Sequence, residues 1–164
     1  MTSEEYADQV KSDLMDTWLP LIYSERILKM RTRSYVFGVL PRKPPVEIQH
    51  TLLGVELKVG SRRLLCPDLA TARYLAVFAR VGCTEVAVPY DITKVSLLAD
   101  ELESSWHRML LLADHIAAER AQTFKARICG LLIAKLRGEI SAAGAGTPVP
   151  EFKRSTKQRS GAGS

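Results

Sequence analysis

Glu56 and Lys58 are the residues in this chain whose types and spacing are best suited to chemistry. The surrounding letters, GVELKV, alternate apolar and polar residues and predict a strand. Side chains two positions apart on a strand lie on the same face. A carboxylate and an ammonium group placed side by side could hold a divalent metal and a polarised water beside a phosphodiester. The same pair could equally be an exposed ion pair on a strand, and the sequence leaves both interpretations open.

The hydrophobic pattern predicts the elements that would position this pair. An apolar residue recurs every fourth position from Tyr6 to Trp18, which indicates a helix, and Pro20 ends or interrupts it. A second short helix, four strands, a helix, a fifth strand and two long helices should follow. The strands are expected within residues 34–40, 46–52, 55–59, 62–66 and 84–89, the third helix from residue 67 to Gly82, and a break between the long helices near residues 119–123.

These elements predict one α/β domain, residues 1–143, with a small mixed β-sheet flanked by N- and C-terminal helices. Residues 144–164 lack apolar periodicity and are expected to form a disordered basic tail. The chain has 164 residues, of which 46% are hydrophobic and 25% charged, as is ordinary for a globular domain. No apolar run has the length needed to span a bilayer, and the acidic N-terminus lacks the hydrophobic core of a signal peptide. We therefore expect a cytoplasmic protein without a membrane partner.

The cysteines and glycines exclude some classes of site. Cys66, Cys83 and Cys129 are far apart in the sequence and do not show the spacing of a disulfide framework or a zinc knuckle, so buried thiols are expected. Gly54 and Gly60 fall within predicted β structure, so neither belongs to a phosphate loop that opens a helix. A nucleotide-dependent enzyme is therefore not favoured.

Positive charge is concentrated in short segments of the chain. Residues 26–43 carry six basic residues and no acid, whereas residues 1–25 carry one lysine and six acids. A cluster of basic residues favours a surface that contacts DNA or RNA, although a basic tail can also serve only to keep a protein in solution. The candidate nucleic-acid contacts are Arg31, Arg33, Arg42, Lys43, Arg62 and Arg63.

Residues 25–92 resemble the core of PD-(D/E)xK nucleases, and are most similar to that of archaeal Holliday-junction resolvases. The resemblance rests on Glu56-x-Lys58 in a strand, a short second strand, a helix containing Phe78-Ala79-Arg80 before Gly82, and the strand Val86-Ala87-Val88. It implies a restriction-endonuclease-like order α-β-β-β-α-β, with the C-terminal helices as additions, and a Mg²⁺-dependent endonuclease activity.

The same resemblance implies roles for four residues. Glu47 and Glu56 would hold Mg²⁺, Lys58 would position or activate the attacking water, and Glu25 on the helix would complete the site. The family's upstream acid is normally an aspartate at a strand end, whereas Glu47 stands between Val46 and Ile48. A relative that keeps the fold and has lost the metal site is therefore the open alternative.

A second class of function is a non-catalytic interaction or assembly factor. An apolar stripe runs from Val95 to Ile116 and includes Trp106 and Met109. Such a stripe could pack onto a partner as easily as onto its own sheet. The sequence therefore also allows a protein partner, or a homodimer formed through the C-terminal helices.

Overall fold

A computed structural model describes residues 1–40 and 44–146 of the chain. The helices are α1 (Ser3–Leu14), α2 (Leu19–Ile22), α3 (Leu69–Val81), α4 (Ile92–Ile116) and α5 (Gln122–Ala143). A 3₁₀ turn at Met15–Thr17 precedes α2, and a π-helical turn at Tyr23–Ile27 follows it. The strands are β1 (Thr32–Val36), β2 (Val46–Thr51), β3 (Gly54–Val59), β4 (Arg62–Cys66) and β5 (Glu85–Pro89). This order agrees with the predicted one, and the protein is an α/β structure with helices at both ends of the chain.

The described strands form two antiparallel sheets, so the prediction of one mixed sheet is wrong. β2, β3 and β4 make a three-stranded meander because Leu52-Leu53 and Gly60-Ser61 connect them as two-residue turns. Such short connections permit only antiparallel pairing. β5 follows α3 and pairs antiparallel with β1 instead of adding a parallel strand to the meander. Hydrophobic patterning predicts which segments are strands. It does not predict which strand β5 will pair with.

The first strand lies earlier in the sequence than predicted. β1 spans Thr32–Val36, whereas the aromatic and β-branched residues favoured a strand at residues 34–40. Gly38 has a φ of +78°, a backbone conformation that takes the chain out of the sheet. The Phe37 and Gly38 amides both donate to the Thr84 carbonyl, so the β1–β5 ribbon ends there.

Helix α3 lies at the centre of the fold and begins and ends as the sequence predicted. The Asp68 side chain accepts a hydrogen bond from the Thr71 amide at 2.7 Å, which caps the first turn. Gly82 ends the helix with a φ of +90°, the left-handed cap for which glycine is suited. The residues from Tyr74 to Ala79 are all buried, because α3 packs between α4 and the three-stranded sheet.

The long C-terminal helices separate at residues 117–121, close to the predicted break. The apolar stripe of α4 is buried within the chain, against α1 and α3: Val95, Leu98, Leu102, Met109 and Ala113 are all nearly inaccessible. Trp106 is half-buried. The stripe therefore forms part of the protein's own core, and a dimer made through α4 would have to use the opposite side of that helix.

The chain stays packed on the domain just beyond α5. The Tyr23 hydroxyl donates to the Gly144 carbonyl at 2.6 Å, and Gly146 approaches Thr32 and Ala87. Residues 144–146, which the sequence assigned to the tail, thus contact the two-stranded sheet. Residues 147–164, the rest of the predicted tail, lie outside the described residues.

Candidate functional site

Glu56 and Lys58 lie on one face of β3, as the sequence predicted. Leu57 and Val59, which alternate with them, are buried on the opposite face of the strand. β3 pairs with β4 over its length, and this pairing confirms the predicted hairpin. The three-stranded sheet therefore has an apolar inner face against α3 and a polar outer face that carries the candidate pair.

The strand register brings Glu47 to the same outer face. Glu47 stands directly opposite Lys58, and Lys58 stands opposite Arg63 on the other side. Glu56 stands opposite Gln49 on β2 and Leu65 on β4. Glu47 and Glu56 thus occupy diagonal positions on adjacent strands, whose Cα atoms are roughly 7–8 Å apart in a regular antiparallel pair.

Both carboxylates are already engaged by neighbouring side chains. The Arg63 guanidinium donates to Glu56 at 3.3 Å and to the Gln49 side-chain oxygen at 3.2 Å. The Gln49 amide in turn donates to Glu47 at 2.9 Å. We call Glu47, Gln49, Glu56, Lys58 and Arg63 the polar ladder. Glu47 and Lys58 form an opposite-charge cross-strand pair, which stabilises pairing, whereas Lys58 and Arg63 are like charges directly opposite each other, which opposes it.

The donor set of the polar ladder does not fit a metal site as it stands. Among residues 1–40 and 44–146, no three His, Cys, Asp or Glu side chains are grouped so that they could hold a metal ion. Magnesium requires oxygen ligands in near-octahedral geometry. An ion bound by Glu47 and Glu56 would have to displace Arg63 from Glu56, whose side chain is only 14% exposed.

Glu25, the fourth predicted site residue, lies elsewhere in the fold. It is exposed on the π-helical turn after α2. Apart from the adjoining α2, that turn packs against α5 and β5, whereas the polar ladder is on the meander. Its neighbour Arg26 forms an ion pair with Glu101 of α4. The structure thus brings Glu47, Glu56 and Lys58 together on one face and places Glu25 on a different surface.

Two of the predicted basic residues stack on an exposed aromatic ring. The guanidinium carbons of Arg31 and Arg33 lie 5.1 and 5.8 Å from the centre of the Tyr90 ring. Both arginines are exposed, and the ring is 48% exposed. The Tyr90 amide donates to the Arg31 carbonyl at 3.1 Å, which holds the ring beside the start of β1. We call Arg31, Arg33 and Tyr90 the basic cluster.

The charges of the basic cluster are not neutralised within the described part of the chain. Neither Arg31 nor Arg33 forms an ion pair there, whereas Arg26, Arg63 and Arg73 are each paired with an acid. A cation over an exposed aromatic face is stabilised by only about 0.5–1 kcal/mol. Both guanidiniums therefore keep N–H groups that can donate hydrogen bonds to an external anion.

Of the remaining predicted basic contacts, Arg63 belongs to the polar ladder and Arg62 lies beyond the far end of β1. Arg62 donates to the carbonyl of Phe37, just past the end of that strand, whereas Arg31 precedes its start. An extended strand rises about 3.3 Å per residue, so the two positions are roughly 20 Å apart. Arg42 and Lys43 lie outside the described residues. Tyr90 was not predicted, because its contact with the arginines depends on the pairing of β5 with β1.

Thiol chemistry is not favoured at two of the three cysteines. Cys66 and Cys83 are buried, as predicted, and Cys129 is half-buried. Burial raises the pKa of the Cys83 thiol to about 12, and it also raises that of Cys66. Both side chains therefore stay protonated at neutral pH, and a thiol is a poor nucleophile.

Comparisons with known proteins leave the function to be argued from this geometry. No protein-family model matches the chain, and neither a curated protein nor a solved structure is similar to it. The helices of the described part are all too short or too polar to cross a membrane.

Proposed function

We propose that this protein associates with nucleic acid through the basic cluster. The observation that carries the proposal is the pair of exposed guanidiniums, Arg31 and Arg33, that stack on Tyr90 without an acidic partner. Arginine donors bind phosphate oxygens, and an exposed aromatic ring offers a face on which a base can stack. Arg62 extends the positive surface past the far end of β1.

Binding to a single-stranded oligonucleotide tests this proposal. The double variant Arg31→Gln/Arg33→Gln should weaken binding at least about tenfold, because each bidentate or charged contact to phosphate contributes roughly 1–3 kcal/mol. Removal of two phosphate contacts should also reduce the slope of log affinity against log salt by about 1.4 for a single strand. Fluorescence anisotropy at several salt concentrations measures both quantities.

Arg26→Gln is the matched control for that experiment. Arg26 is also exposed and belongs to the same basic segment, residues 26–43, but it is paired with Glu101. Its replacement should leave affinity and salt slope unchanged. Binding that is insensitive to salt, or equal in the double variant and the control, would contradict the proposal and favour the protein-partner alternative.

A second candidate function is Mg²⁺-dependent cleavage on a restriction-endonuclease-like core. It is favoured by the shared face of Glu56 and Lys58 with Glu47 across the strand. Glu47 and Glu56 are the residues that would hold the ion, and this would require Arg63 to leave Glu56. Lys58, on the same face as Glu56, is the residue that would orient the attacking water.

Cleavage of branched or single-stranded nucleic acid by the purified protein tests this candidate. With Mg²⁺ or Mn²⁺ present, activity should vanish in Glu56→Gln and in Lys58→Ala. It should persist in Glu101→Gln, which also removes an arginine-paired carboxylate but lies outside the polar ladder. If the parent cuts no substrate with either metal, this candidate fails while the binding proposal stands.

A further inference from the structure

A cavity of about 340 Å³ lies between the end of α3, the start of β5 and one side of α5. Small-molecule sites in proteins begin at about this size. The cavity is lined by Thr84, which precedes β5, whereas Tyr90 of the basic cluster follows that strand. It is therefore at the opposite end of β5 from the basic cluster, and the inference below does not depend on the proposed function.

The polar part of the cavity wall is positively charged. Arg80 and Arg137 both line it, and its described lining residues include no acid. The Arg137 Nε donates to the Val81 carbonyl at 3.3 Å, which anchors the guanidinium at the end of α3. Arg80 is half-buried and forms no ion pair within the described part of the chain. Two guanidiniums without a carboxylate partner match an anionic head group, which they can bind through paired N–H donors.

The rest of the wall is apolar and leaves room for a ligand. Val39, Leu40 and Ile133 line it, together with the small residues Gly130 and Ala134 of α5. A Cβ atom added at Gly130 would meet no atom within 4 Å, so this part of the cavity is open space. An apolar body of a ligand could pack there while its charged end met the arginines.

We propose that this cavity binds a small amphiphilic organic anion. Arg80 and Arg137 hold the carboxylate or phosphate head group, and the apolar body packs against Leu40 and Ile133. A second cavity of about 180 Å³ shares Gly82, Thr84 and Arg137 with the first, and Glu85 also lines it.

Calorimetric titration of the full chain with octanoate, octyl phosphate and octanamide tests the charge requirement. The first two share an anionic head and an apolar tail, and the tighter of them identifies the head group. Octanamide has the same tail but no charge and should bind at least about tenfold more weakly. Arg80→Gln should weaken octanoate or octyl phosphate to a similar degree. This variant is cleaner than Arg137→Gln, which would also remove the hydrogen bond to Val81.

A pair of glycine substitutions on α5 tests the location. Gly130→Leu should place a side chain in the cavity and abolish binding of the anion. Gly138→Leu is the matched control, because Gly138 is exposed on the same helix, has no atom within 4 Å of an added Cβ and lines neither cavity. Both variants should raise Tm, since leucine is a better helix former than glycine, so loss of binding in Gly130→Leu cannot be attributed to unfolding.

Three results would overturn the proposal. One is binding of octanamide as tight as that of the anions, which would show that the cavity does not recognise the negative charge. Another is unchanged anion binding in Gly130→Leu, which would place the ligand elsewhere. The third is absence of binding by both octanoate and octyl phosphate to the folded parent protein.

Discussion

Two buried tyrosine hydroxyls satisfy the backbone of Ala87 on the edge of β5 that faces away from β1. The Ala87 amide donates to the Tyr23 hydroxyl at 2.9 Å, and its carbonyl accepts from the Tyr74 hydroxyl at 2.6 Å. Tyr23 also donates to the Gly144 carbonyl. A buried strand edge normally requires a neighbouring strand, because unpaired backbone groups are costly away from water. Here two side chains replace that strand, so the sheet can end inside the protein.

Removal of one of these hydroxyls should destabilise the protein measurably. Tyr23→Phe leaves the Ala87 amide and the Gly144 carbonyl without their partner, and we expect the free energy of unfolding to fall by about 1–3 kcal/mol. Urea unfolding followed by circular dichroism measures the change.

Tyr35→Phe is the control for the Tyr23 experiment. Tyr35 is half-buried beside Phe37, and no hydrogen bond of its hydroxyl occurs within the described residues. Its replacement should change stability by no more than about 0.5 kcal/mol. Equal losses in the two variants would contradict this expectation, because they would show that removal of a tyrosine hydroxyl destabilises the protein whether or not it caps β5.

At the scale of the elements, the helices are held together by both apolar and charged contacts. Arg73 of α3 forms ion pairs with Asp100 and Glu103 of α4, each at 2.5 Å, so that one guanidinium joins the two helices at the rim of the core. Contact with these carboxylates raises the pKa of Arg73 further above its ordinary value. Lys11 of α1 forms an ion pair with Glu139 of α5 at 2.9 Å in the same manner.

The two ends of α3 show why local features of elements could be predicted. Asp68 before the helix and Gly82 after it act on backbone groups within three or four residues, so their roles follow from sequence alone. The partner of β5 could not be predicted in this way. β1 lies about fifty residues earlier in the chain. Its pairing with β5 depends on where the end of α3 places the start of that strand.

At the scale of the whole molecule, two tyrosine hydroxyls and a cysteine thiol are buried in their neutral forms. Burial raises the pKa of Tyr23 to about 12 and raises that of Tyr74 well above its ordinary value. The buried thiol of Cys83 is affected in the same direction, also to about 12. In the unfolded chain these groups would ionise near their ordinary pKa values, about 10 for tyrosine and 8.5 for cysteine.

Stability should therefore fall at alkaline pH. Between the unfolded and folded pKa values the folded state holds more protons, so the stabilising contribution is complete below about pH 8.5 and is lost as pH rises toward 12. Urea unfolding at a series of pH values from 8 to 11 measures this loss. Tyr23→Phe should show a shallower fall, because it lacks one of the titrating groups. A free energy of unfolding that stays constant over this range would contradict the expectation.

The sequence by itself determined the order of elements, the caps of α3, the hairpin at Gly60-Ser61 and the shared face of Glu56 and Lys58. Each of these follows from steric preferences and hydrogen bonds between residues that are close in the chain. Only the tertiary structure decided that Arg63 pairs with Glu56, that Glu25 lies on another surface, and that Tyr90 meets Arg31 and Arg33. The position of Glu25 and the contact of Tyr90 with the arginines depend on how segments distant in the chain pack together. The Arg63–Glu56 pair depends on which side chains the strand register places beside each other. They are set by the packing of the whole core, which hydrophobic patterning does not specify.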